Sequence, residues 1–185
     1  MSRVPVILNP IAGGGRLLRQ TDVLRAVAAD EGYELDVWKA ESQAHTAELA
    51  RRAADDQMSL VLAYGGDGTY NTVAKGLLGS STAMGALPGG TTSVLAYEFG
   101  VPRPIRRSVA ALLRGEDRLM RVGRTDRGDI VLTRIVHGDR QQVVAQSGQV
   151  GGGVSTPVAG KSNYQRFKFS HIMIFKNAAW FWEVI

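Results

Sequence analysis

The feature that most constrains this chain is a glycine turn set between a strand pattern and a helix pattern, which occurs three times. Tyr64-Gly65-Gly66-Asp67-Gly68-Thr69-Tyr70-Asn71 follows the apolar run Leu60 to Ala63 and precedes a stretch in which Val73, Leu77 and Leu78 share one helical face before Gly79. Asn9-Pro10-Ile11-Ala12-Gly13-Gly14-Gly15-Arg16 follows the strand pattern Val4 to Leu8, where Pro5 sits near the start. Pro88-Gly89-Gly90-Thr91-Thr92-Ser93 follows Met84 to Leu87 and leads into a helix through Val94, Leu95, Ala96 and Phe99 to Gly100. Glycine lets backbone amides approach a ligand with no Cβ in the way. The helix that follows turns its positive end and its unpaired N–H groups toward that ligand. Such a turn is a phosphate site by construction. The plainer reading is a tight turn in which Asp67 or Thr69 caps a helix; threefold recurrence favours the ligand.

Between these turns the pattern alternates. Leu17 to Ala28 reads as a helix stopped by Gly32, Tyr33 to Trp38 as a strand, and Glu41 to Ala54 as a helix with His45 and Thr46 near its start. Met58 to Ala63 is a strand, and Ile105 to Leu113 a helix closed by Gly115. The predicted fold class is α/β, a mainly parallel sheet with helices on both faces. Ligands of such sheets lie beyond the carboxyl ends of the strands, where all three glycine turns gather.

From about Arg121 the texture changes. Val122 to Arg134 and Ile135 to Val144 predict a partial antiparallel β segment with turns at Arg127-Gly128-Asp129 and His137-Gly138-Asp139. Ser147 to Ser162, rich in Gly, Ser and Thr, reads as a loop. Phe167 to Ile185 is an apolar, aromatic tail suited to closing a core, docking on another chain or lying in a membrane interface. The expected organisation is a nucleotide-binding α/β domain over residues 1–120, then a partial or remnant β-rich second domain over 121–185.

Composition sets bounds. The 44% hydrophobic and 21% charged content is that of a globular chain, and the absence of cysteine excludes disulfides and thiolate metal sites. Neither a signal-peptide core nor a run long enough for a membrane span is present. The net charge of +5 is uneven: residues 103–129 hold eight arginines against four acids. That cluster suits phosphates or an anionic membrane surface, although a solvated helix face is the favoured reading.

Taken together, Asn9-Pro10-x-Ala12-Gly13-Gly14, Gly65-Gly66-Asp67-Gly68-Thr69-x-Asn71 and Leu87-Pro88-Gly89-Gly90-Thr91 resemble the motifs of the diacylglycerol kinase catalytic domain and its lipid kinase relatives, sphingosine kinases and bacterial lipid kinases among them. Leu95-Ala96-x-Glu98-Phe99-Gly100-Val101-Pro102 looks like the helix that follows the third motif in that family, and the likeness covers roughly residues 4–124. The resemblance implies an amino-terminal α/β domain followed by a β-sandwich, with nucleotide between them. It implies transfer of the ATP γ-phosphoryl group to a lipid hydroxyl with Mg²⁺, the metal ligands and general base coming from the second domain. Where the family commonly continues the third motif with Asn and Asp, this chain has Thr92 and Ser93. The family's glycine-and-aspartate pattern is not recognisable after Arg124, so the chain is expected to be truncated or diverged beyond its first domain.

The nucleotide-binding candidates are Asn9, Thr46, Gly65, Gly66, Asp67, Gly68, Thr69, Tyr70, Asn71, Gly90 and Thr91, with Thr46 and Thr91 resting on family position. Arg16 is a candidate phosphate clamp. Asp67 is the catalytic candidate: a carboxylate beside a triphosphate needs a Mg²⁺ between them, or the role of accepting the substrate hydroxyl proton. Expected partners are nucleotide and a lipid at a membrane surface, without nucleic acid and with self-association through the carboxy-terminal segment. The expected location is cytoplasmic, peripheral at the inner membrane surface. Two other readings stay open: a catalytically inactive nucleotide-binding module, and a kinase of NAD, a family that shares the Gly-Gly-Asp-Gly-Thr loop.

Overall fold

Six consecutive apolar or small residues, Leu60–Gly65, form a strand buried along its whole length, as a strand covered on both faces must be. The computed structural model describes residues 1–10, 17–90, 93–124, 130–131, 135–137, 140–142 and 164–169. Numbered along the chain, this central strand is β3. On one side of it runs β1 (Ser2–Leu8), then β2 (Tyr33–Lys39), and on the other β4 (Ala83–Pro88), all parallel. Pro5 is tolerated inside β1 because the ladder to β3 begins only at Val6, paired with Leu62. β2, at the sheet edge, is only partly buried.

The connections are helical. α1 (Thr21–Asp30) follows a 3-10 turn at Leu18–Gln20 and packs against α5 (Ile105–Arg114). α2 (Gln43–Asp55) packs against α3 (Asp67–Leu77), and the short α4 (Val94–Glu98) lies after β4. Ser42 caps α2, its hydroxyl accepting from the His45 N–H at 3.0 Å, while His45 Nδ1 accepts from the Glu41 N–H at 3.2 Å. That exchange fixes His45 as a capping residue at the start of its helix. Glu31 and Arg114 pair across α1 and α5, with Arg114 Nε at 2.6 Å from the carboxylate.

Beyond α5 the sequence reading needs additions. β5 (Glu116–Arg121) and β10 (Tyr164–Phe169) extend the sheet to the order β2-β1-β3-β4-β10-β5. β10 lies parallel to β4, with Phe167 opposite Met84, and antiparallel to β5. The polar start of β5, Glu116-Asp117-Arg118, hides an edge strand from a hydrophobic-pattern search, and charge is what such edges carry. Lys168 bridges to Asp117 at 2.8 Å. Phe167, the first residue of the apolar tail, is wholly buried and meets the Phe99 ring edge-on at 5.3 Å. Among the described residues the antiparallel segment shows two short pairs, β6 (Gly123–Arg124) with β7 (Ile130–Val131) and β8 (Ile135–His137) with β9 (Arg140–Gln142). The Ser147–Ser162 loop and the tail beyond Phe169 fall outside the described residues. No helix among the described residues is long and apolar enough to cross a membrane.

Candidate functional site

β3 and β4 each end in a glycine pair, and the two pairs are bonded to each other. The Gly65 carbonyl oxygen accepts the N–H groups of Gly89 at 2.8 Å and Gly90 at 2.9 Å. The Tyr70 hydroxyl donates to the same oxygen at 2.9 Å and to the Leu87 carbonyl at 3.0 Å. Ser93, buried and in the left-handed backbone region at φ 44°, brings its hydroxyl to 3.4 Å from that oxygen as well. One carbonyl thus fastens the second turn to the third. Asn9 attaches the first: its N–H donates to the Tyr64 carbonyl at 3.3 Å.

α3 starts inside the glycine motif, with Gly66 as its N-cap. The Gly66 carbonyl accepts from the Thr69 and Tyr70 N–H groups at 2.9 and 3.1 Å, closing the first turn. The N–H groups ahead of these precede the helix's own hydrogen-bond ladder and lie at the carboxyl end of β3. Thr69 is buried, its side chain standing over Gly65. Tyr70 is set differently from the ligand contact read in the sequence. Its side chain is buried, and burial holds its phenol far above the ordinary range, so it remains a protonated donor to two main-chain carbonyls. It braces the loop from behind. Asn71 is half-buried on the next turn.

Asp67 also has a position the sequence reading did not foresee. Its carboxylate caps α4 across the cleft edge, Oδ2 accepting from the Val94 N–H at 3.1 Å and Oδ1 from the Leu95 N–H at 3.0 Å. The cap falls on α4 and not on the helix that Asp67 itself begins, because the packed loops bring residue 67 against residue 94. At the other end of α4, the Glu98 carboxyl is raised above its usual range, first by partial burial and then by the charge of Asp67.

Thr46 is buried on the first turn of α2, where its hydroxyl donates to the Ser42 carbonyl at 2.9 Å. Two residues missed in the sequence tie that helix to the glycine loop. Gln43 Nε2 donates to Thr72 Oγ1 at 3.2 Å, and Thr72 donates to the Gly68 carbonyl at 3.0 Å. The signal was faint: polar residues at a helix start read as solvated. Thr91 and Arg16 lie outside the described residues.

Beside the third turn opens a cleft of about 280 Å³, walled by Leu17, Gln20, Gly89, Gly90, Tyr97, Arg103 and Ile105 with Pro88. Tyr64 donates its hydroxyl proton to Gln20 Oε1, and the Arg103 guanidinium lies over the Tyr97 ring at 5.0 Å. A magnesium site does not fit the described residues by themselves. They hold no group of three His, Asp or Glu side chains placed to bind an ion, and both Asp67 oxygens already accept N–H bonds.

The family model of the diacylglycerol kinase catalytic domain matches residues 3–125. The chain belongs to that family. It is similar to a diacylglycerol kinase of Bacillus subtilis, 29% identical over 129 residues that span 68% of this chain and 43% of the relative. A probable YegS-like lipid kinase of Klebsiella pneumoniae is 30% identical over 119 residues, 63% of this chain and 40% of that protein. In three dimensions the fold matches a putative diacylglycerol kinase of Bacillus anthracis with a TM-score of 0.62 at 20% identity, covering 72% of this chain and 48% of that one. The chain therefore spans less than half the length of these family members.

Proposed function

We propose that this chain is the nucleotide-binding part of an ATP-dependent lipid kinase, with the triphosphate lying over the first turn of α3. Gly68 carries the argument. A Cβ there would meet nothing within 4 Å among the described residues, and a Cβ at Gly66 would make only an ordinary 3.5 Å contact. Packing against described neighbours therefore does not require glycine at either position, whereas a phosphate pressed against the backbone does. In the reaction the bond from the γ-phosphorus to the β–γ bridging oxygen breaks, ADP leaves, and a bond to the lipid hydroxyl oxygen forms as that hydroxyl passes its proton to the general base that the family resemblance assigns to the second domain. The part played by this chain is holding the phosphates in line and neutralising charge with oriented N–H groups. Gly90 backs that cradle, lying against Gly66, and Thr69, Asn71 and Thr46 are the candidates for further contacts to the nucleotide. Asp67 is then a positioning residue that holds α4 in place, and Mg²⁺ enters with the nucleotide.

Equilibrium titration with ATP, with and without Mg²⁺, tests this reading. The wild-type chain is expected to bind at or below millimolar concentration, and Gly68→Ala to bind at least about tenfold more weakly while remaining as stable, since Ala favours a helix. No binding, or equal binding by the variant, would overturn it. Label from ATP should pass into mixed lipids and not onto NAD; the reverse would reassign the chain to the NAD kinases.

The engagement of both Asp67 oxygens favours a second reading, a module that binds nucleotide without turnover. Lipid phosphorylation by a monodisperse preparation would exclude it.

A further inference from the structure

The arginine-rich stretch from residue 103 begins outside the proposed phosphate cradle, with Arg103 at the cleft beside it. Arg103 lines that cleft, and Arg106 and Arg107 follow on the exposed first turn of α5. That turn contains no acidic residue, so the two arginines add charge to the end of a helix that is already positive, at a cost in stability. Elsewhere arginines have carboxylate partners: Arg3 with Asp36, Arg52 with Asp56, Arg114 with Glu31. Among the described residues no carboxylate stands within ion-pair distance of Arg103, Arg106 or Arg107. Arg19, between the cleft residues Leu17 and Gln20, is exposed as well.

The cleft itself is organised for an anion with an apolar body. Gln20 spends its amide oxygen on Tyr64, which leaves its amide hydrogens for an incoming acceptor. Arg103 is steadied by the Tyr97 ring, and Leu17 and Ile105 supply apolar wall.

We propose that this cleft and its arginine rim form a second anion site, separate from the first turn of α3, which takes the phosphate headgroup of an anionic lipid at a bilayer surface. Arginines spread over two elements exceed what one small phosphate engages, and they match an extended negative surface. The inference deepens the lipid kinase reading and rests on it for its purpose: a bilayer held here lies at the same edge of the sheet as the phosphate cradle.

The test is co-sedimentation of the purified chain with vesicles of phosphatidylcholine alone or mixed with phosphatidylglycerol, with ATP affinity measured on the same preparations. Binding is expected to the anionic vesicles only and to weaken with salt. Changing Arg103, Arg106 and Arg107 together to Gln should lower partitioning on the order of a hundredfold, about fivefold for each charge. Lysine at the same positions should retain most of the binding, and ATP affinity should not change in either variant. Equal binding to neutral vesicles, or undiminished anionic binding by the Gln variant, would overturn the proposal. So would saturable binding of glycerol phosphate without vesicle binding, which would assign the cleft to a soluble phosphate. Failure of ATP to bind would sink the lipid kinase reading alone and leave the vesicle result standing.

Discussion

Gly90 and Gly66 meet backbone to backbone: a Cβ built on Gly90 would stand 2.7 Å from the Gly66 Cα. No side-chain rotation relieves that approach, because the atom on the far side is main chain. The third turn is glycine at this position so that the second turn can lie against it, with both bonded through the Gly65 carbonyl.

Gly90→Ala is therefore expected to force the two turns apart and to destabilise the fold by about 1–3 kcal/mol, the usual cost of overpacking. Urea unfolding measures this, and ATP affinity should fall in parallel as the first turn of α3 loses its backing. An unchanged midpoint would mean that the turns separate freely and that their contact is incidental.

Asp67→Asn should also destabilise the chain, by about 1–2 kcal/mol, because an amide NH₂ replaces one of two acceptors aimed at N–H donors. Hydrogen exchange at the Val94 and Leu95 amides should accelerate in the variant while exchange in β3 follows only global stability. Protection at those two amides equal to wild type would remove the capping role. If the destabilisation is found, loss of turnover in this variant is no sign that Asp67 takes a proton from substrate.

Glu98 predicts a pH dependence of definite sign. Burial first, and the Asp67 charge second, raise its folded-state carboxyl above the unfolded value. The folded chain then holds the proton more tightly, so this contribution to stability is full below the unfolded pKa of about 4.3 and is lost as pH rises through the folded one. Glu98→Gln should accordingly be more stable than wild type at neutral pH, by less than about 1 kcal/mol because the side chain still reaches water. The gain should vanish on acidification, and thermal melts across pH would show it. A gain that persists at acid pH would point to packing instead of charge.

The site was legible in the sequence to the extent that its geometry is local. Glycines between a strand period and a helix period place N–H groups at a strand end whatever the rest of the fold does. The direction of a side chain across the fold was not legible. Tyr70 lies in a motif that reads as ligand-facing, yet its position on α3 turns it toward β3 and β4, where its protonated hydroxyl donates to the Gly65 and Leu87 carbonyls. Gln43, Thr72 and Arg103 carry no pattern of their own, and only the packing of α2 on α3 and the closure of the cleft give them a place.

By itself the sequence determined the order of elements to Gly115, the parallel sheet and the gathering of three glycine turns at one edge, because each follows from periodicity and turn chemistry over a few residues. The tertiary structure decided that β10 enters the sheet between β4 and β5, and that Asp67 caps a helix 27 residues further on. The physical reason is the same in both cases. A strand takes the edge that offers open hydrogen bonds and buries its apolar face, here Phe167 against Phe99, and a carboxylate takes the unpaired N–H groups that the folded loops present. Neither partner is specified until the chain has packed.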